Sequence, residues 1–139
     1  MAVVNVPEFK QNSEYDREYK RTVKWDAQKG DFVLDSTNKI VECSGEEGFA
    51  IWCYKVAQTE RYSCLAYTNA IGVELEKAMN AGDRKVVESM VQRTLTDALK
   101  VNPRTENILN FEFTWNADVL HCTFTVKAYE WDKLFKISI

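Results

Sequence analysis

A helical period in this chain stops at Asn102-Pro103 and gives way, within a few residues, to a period of two that continues to Ala128. Upstream of the proline, Val87, Val91, Leu95 and Ala98 share one helix face, with Met90, Thr94 and Leu99 beside them. Arg84, Glu88, Gln92, Arg93, Asp97 and Lys100 take the opposite face, and Asp83 is placed to cap the start. Proline pushes the residue before it out of the α region, so the helix ends at Asn102. Downstream, Leu109, Phe111, Phe113 and Trp115 alternate with Asn110, Glu112 and Thr114. Asn116-Ala117-Asp118 then turns the chain into Leu120, Cys122, Phe124, Val126 and Ala128, which alternate with His121, Thr123, Thr125 and Lys127. Each run has a single apolar face, as an antiparallel pair lying over helices requires. Residues 119–126 carry neither charge nor proline, the usual devices that blunt an open strand. They read as an edge meant to be paired, unless another strand of the domain, such as residues 32–34, covers it.

The first half of the chain is punctuated by turns. Asp31-Phe32-Val33-Leu34 and Ile40-Val41-Glu42-Cys43 read as two short strands joined by Asp35-Ser36-Thr37-Asn38. Ser44-Gly45-Glu46-Glu47 has the form of a capping box. Phe49, Trp52, Cys53, Val56 and Ala57 then make the apolar stripe of a helix that ends near Gln58. Residues 61–67 fit either a short strand or an extended loop. A short helix is predicted over residues 73–81, closed by Gly82. Residues 1–22 have no clean period and read as an N-terminal arm, either flexible or ordered on a partner. The apolar tail Trp131, Leu134, Phe135, Ile137 and Ile139 either folds back on the core or docks on a neighbour. The expected architecture is a single α+β domain over residues 23–139. It has a small antiparallel or mixed sheet packed against about three helices, with the extended arm in front.

Composition narrows function. At 139 residues and 45% hydrophobic content, one domain can bury a real core. With 18 basic against 21 acidic residues and no dense Lys/Arg cluster, neither nucleic acid nor an anionic membrane is the expected partner. No apolar run approaches a membrane span, and the N-terminus has no secretory h-region. Cys43, Cys53, Cys64 and Cys122 form no Cys-x-x-Cys pair and are expected to be reduced and buried. With one histidine, His121, neither a zinc site nor a histidine-based catalytic site is expected. There is no glycine-rich phosphate loop. Glu46, Glu47 and Glu60 are the carboxylates nearest to apolar surroundings, but Glu47 is assigned to the cap and Glu60 adjoins Arg61. No catalytic, cofactor or metal residues are assigned, and a monomer is expected in isolation.

Several segments, read in order, resemble the sheath-initiator family of baseplate wedge proteins in contractile injection systems, which include phage tails and tailocins. Gly30-Asp31-Phe32-Val33-Leu34-Asp35 resembles the family's opening strand. Residues 44–58 resemble its first helix, with Trp52 facing the core, and Thr59-Glu60-Arg61 matches the Thr-Glu-Arg that closes it. Ala70-Ile71-Gly72-Val73-Glu74-Leu75 is similar to the Tyr-Gly-x-x-Leu segment. Residues 95–104 match the end of the long helix and its Glu-Pro-Arg motif, with Asn102 standing where the glutamate would. Some members carry an old lysozyme label, which nothing in these residues supports.

The resemblance implies a structural, non-enzymatic role: a part made in the bacterial cytoplasm and assembled into a baseplate, in six copies around the tube. Its implied partners are the sheath protein and the wedge proteins, with tube or hub proteins as further candidates. Asn102, Pro103, Arg104, Glu60 and Arg61 are the expected wedge contacts. Val119, His121, Thr123, Thr125, Trp131 and Phe135 are the expected sheath contacts, through strand addition at an exposed edge. A small cell-wall hydrolase and a generic α+β adaptor are the alternatives.

Overall fold

The computed structural model describes residues 21–130 and 134–139. The arm over residues 1–20 and Trp131 lie outside the described residues. The chain forms β1 (Thr22–Val23), β2 (Trp25–Asp26), β3 (Asp31–Phe32), β4 (Glu42–Cys43), α1 (Gly45–Gln58), α2 (Leu75–Met79) and α3 (Arg84–Leu99). It closes with β5 (Thr105–Asn116), β6 (Val119–Ala128) and β7 (Leu134–Ser138). This is an α+β domain in which every strand pair is antiparallel.

The main sheet has the order β5-β6-β7. Its apolar face meets α1 and α3 in one core that includes Phe49, Cys53, Val91, Leu95, Leu99, Phe124 and Val126. The two long helices bury the stripes that their period demands: Phe49, Cys53, Val56 and Ala57 on α1, and Val87, Val91, Leu95, Ala98 and Leu99 on α3. The Asp83 side chain accepts from the Lys85 amide at 3.0 Å, which satisfies one of the open amides of α3.

Cap and hairpin differ from expectation in the N-terminal half. Ser44 is the N-cap of α1, but its side chain makes no capping bond. Gly45 takes φ +64, which turns the chain away from the geometry a capping box needs, and the Glu47 carboxylate pairs with Lys24 at 3.2 Å instead. The turn at residues 35–38 forms around Asp35, whose Oδ1 accepts from the Thr37 hydroxyl and from the Thr37 and Lys39 amides. The Thr37 hydroxyl, foremost, holds this carboxyl below its ordinary pKa. The strands beside that turn meet only at a Leu34–Ile40 bridge and a Val41 N–H bond to the Val33 carbonyl. Beyond it they part: β3 pairs with β2 and β4 with β1. Residues 22–26 compete successfully for their backbone groups, with Lys24 bonded to both Val41 and Val33.

Two findings correct the expected core. A register shift between Leu109 and Glu112 places a bulge at Asn110, which takes φ +57. The bulge flips the parity of β5, so Ile108 rather than Leu109 is buried upstream of it, while Phe111, Phe113 and Trp115 keep the inner face downstream. Cys43, Cys53 and Cys122 are buried as expected, but Cys64 is exposed because it sits in the loop between α1 and α2.

Candidate functional site

The expected sheath-binding edge, residues 119–126, is interior for most of its length. β6 is the central strand: β5 pairs with it on one side and β7 on the other, through Thr123–Ser138, Phe124–Ile137, Thr125–Lys136, Val126–Phe135 and Lys127–Leu134. The covering strand is the tail itself rather than residues 32–34. Val119 and His121 are exposed near the hairpin turn, beyond the reach of β7. Thr123 and Thr125 are half-buried, and the Thr123 hydroxyl lies 3.2 Å from that of Ser138. Phe135, named among the expected sheath contacts in a tail that could either fold back or dock, is 7% exposed and packs edge-to-face on Phe49 at 5.5 Å. An apolar tail gains more by completing the core than by waiting in water.

Moving β6 inward transfers the edges to β5 and β7. The β5 edge is interrupted by register shifts at Thr105/Asn107 and Leu109/Glu112, and the Ile108 amide is occupied by the Asn107 side chain at 2.9 Å. Bulges of this kind twist an edge away from further pairing. The β7 edge has no shift in its register. Cys122 and Ile139 exchange both backbone bonds, at 3.0 and 2.9 Å. Antiparallel pairs alternate between bonded and non-bonded, so the peptide groups of Leu134, Lys136 and Ser138 point away from β6. Among the described residues no strand pairs with that side.

The open side of β7 faces a groove of about 560 Å³. Its far wall is the outer face of α1, with Glu47, Ala50, Ile51 and Tyr54, and Trp25 and Ala27 close one end. Lys55 sits over the Trp25 ring at 4.9 Å and ties the small β2–β3 sheet to α1. The groove therefore has a bare strand on one side and a largely apolar helix face on the other.

The expected wedge residues do structural work. Arg104 is not a free fork: its side chain is 12% exposed and its Nε lies 3.4 Å from Glu130 Oε1. Its carbonyl accepts from the Tyr129 amide, so Arg104 fastens the start of β5 to the end of β6. Asn102 Oδ1 accepts from the Arg104 amide at 3.0 Å, a local turn bond around Pro103. Pro103 itself is exposed at the apex. Thr59-Glu60-Arg61 and Gly72 lock into one loop base. The Arg61 amide donates to the Val73 carbonyl, the Val73 amide donates to Thr59, and Glu60 Oε2 accepts from the Leu75 amide at the start of α2. Gly72 has φ +106, and a Cβ there would lie 2.7 Å from the Thr59 carbonyl oxygen, so only glycine closes this base.

The family model for the contractile injection system sheath initiator matches residues 21–130. The chain belongs to the sheath-initiator family. It is also 26% identical over 98 residues to the phage-like element PBSX protein XkdS of Bacillus subtilis (strain 168), covering 68% of this chain and 67% of that protein. Sheath initiators are structural parts of contractile injection systems, and the role implies contact with sheath and baseplate proteins. The matched segment contains the opening strands, the three helices found among the described residues and the β5–β6 hairpin, and it stops short of β7.

The signal for β7 in the sequence is the alternation of Phe135, Ile137 and Ile139 with Lys136 and Ser138, a period of two that a reading of the tail as simply apolar misses.

Proposed function

We propose that this sheath initiator joins the baseplate wedge to the first sheath ring and seeds sheath polymerisation by accepting a sheath strand alongside β7. The observation that carries the reading is the uninterrupted open edge of β7 facing the α1 groove. An incoming strand gains main-chain bonds from residues 134, 136 and 138, and its alternate side chains enter the groove. The register follows from the pleat. Six copies around the tube, assembled from protein made in the bacterial cytoplasm, would present six such edges to the sheath.

The wedge contact in this reading is the corner Asn102-Pro103-Arg104. Pro103 is the exposed apex, and Arg104 holds the corner through Glu130. Arg104→Ala therefore lowers both the melting temperature and wedge capture. Of the carboxylates weighed for the hydrolase alternative, Glu47 pairs with Lys24 and Glu60 accepts from the start of α2, which favours the structural reading.

Lys136→Pro tests strand addition. The Lys136 amide points away from β6, so proline removes a donor that only an added strand would use. Circular dichroism and thermal melting should match the parent, while co-sedimentation with polymerising sheath protein, in the presence of wedge proteins, should be lost. A folded Lys136→Pro variant that recruits sheath like the parent would sink the reading.

A further inference from the structure

A second pocket, of about 360 Å³, opens between α2 and α3, lined by residues that the β7 groove does not use. Arg61 enters it from the loop base. The backbone of Arg61 is fixed by the bond to Val73, and its guanidinium reaches the Gly72 carbonyl only weakly, at 3.4 Å. Its Nε is buried and has no hydrogen-bond partner among the described residues. A buried guanidinium donor without an acceptor is rare, because desolvation is then uncompensated.

The pocket holds two carboxylates of its own, and neither satisfies Arg61. Asp97 leans toward Arg93 across α3 at 4.0 Å, in an exposed pair of little strength. Glu74 lies at the rim, where its amide is held by the Thr94 hydroxyl at 2.9 Å. Against these two stand the cations Arg61, Lys77 and Arg93, which leaves an excess of positive charge in the lining. A planar guanidinium is matched by a carboxylate, which its donors can hold as a fork. The chain that leaves Arg61 has no charged residue from Tyr62 through Val73, and it exposes Tyr62, Leu65 and Tyr67, with Leu65 at 105%. Tyrosines on a loop with a rigid base are the kind of anchor that protein interfaces use.

We propose that the pocket between α2 and α3 binds a carboxylate side chain from an acidic segment of a neighbouring protein, with Arg61 as the bidentate donor and the Tyr62–Leu65–Tyr67 loop as the adjoining apolar contact. This surface is separate from the β7 groove, so the two stand or fall independently.

The test is an NMR titration of the full chain, following the Arg61 Nε–H resonance. The probes are a tetra-glutamate peptide, a tetra-glutamine peptide and inorganic phosphate. Tetra-glutamate should shift the Arg61 resonance saturably at low salt, and tetra-glutamine should not. Arg61→Gln should weaken tetra-glutamate binding by about tenfold, as expected for loss of a charge-assisted bond. Lys77→Gln, which leaves the loop base intact, should weaken it by about twofold to threefold. Lys85→Gln, an exposed lysine outside the pocket, should leave it unchanged. An unmoved Arg61 resonance would overturn the proposal. So would an equal response to phosphate, which would mark a general anion site, or an equal loss in Lys85→Gln, which would mark diffuse charge attraction. If Arg61→Gln does not fold, the parent titration and the two lysine variants decide the matter.

Discussion

The two edges of the main sheet are built differently. β5 is the longer strand, at 12 residues, and its aromatic run made it conspicuous in the sequence. Its outer side is broken by two register shifts, a left-handed Asn110 and an amide already occupied by Asn107. β7 has five residues and follows an undescribed stretch, yet its register is unbroken and its open side faces a groove. The difference teaches that regularity, rather than length or hydrophobicity, marks an edge able to take another strand.

The comparison can be broken at β7 first. Removing residues 134–139 takes Phe135 and Ile137 from the core and strips one side of β6, so cooperative thermal unfolding should disappear. A truncated chain that still melts cooperatively would mean that the tail is an accessory. Phe135→Ala is the milder version. It should cost about 3–5 kcal/mol in a urea or guanidinium titration, because the side chain is buried against Phe49. The Lys136→Pro variant sharpens the same point, since it should separate recruitment from stability on one strand. Thr123→Pro cannot do this. Thr123 lies on the central strand, and its peptide group faces β5, so the variant should lose structure together with any binding.

At β5 the effects are smaller. Asn110→Val places a β-branched residue at φ +57 and should lower stability by about 1–2 kcal/mol, while leaving sheath recruitment by the folded protein unchanged. Loss of recruitment at full stability would move the docking edge from β7 to β5.

The smallest effect reports on the core face that the two edges share. Burial pushes the Cys122 thiol up to about 11 from an ordinary 9.0, and burial raises Cys53 as well. A thiol raised on folding leaves stability intact below its unfolded value and erodes it as pH climbs through the folded one. The melting temperature should therefore hold to about pH 9 and fall between there and pH 11, and Cys122→Ala should flatten part of that slope. A parent and a variant with identical high-pH slopes would show that the thiol is not desolvated.

Much of this fold was legible beforehand. The apolar stripes of α1 and α3, the Asp83 cap, the alternation of β6 and the order of the family's motifs are local properties, and each was realised. The capping box at Ser44 failed because Gly45 took a left-handed turn that its neighbours did not announce. The role of Arg104 was hidden because its partner, Glu130, is 26 residues away. Arg61 was singled out in the sequence beside Glu60, but its buried, unpartnered Nε was not legible there, because an unpaired buried donor exists only once the chain is packed.

What the sequence determined by itself is which side chains face the core, because periods of 3.6 and 2 report direction perpendicular to a helix surface or a sheet. The order of strands lies in the other direction, within the plane of the sheet, where backbone bonds point and side chains carry no signal. That β7 would return beside β6, turn the expected edge into a centre and leave its own far side unpaired among the described residues was decided by tertiary structure alone.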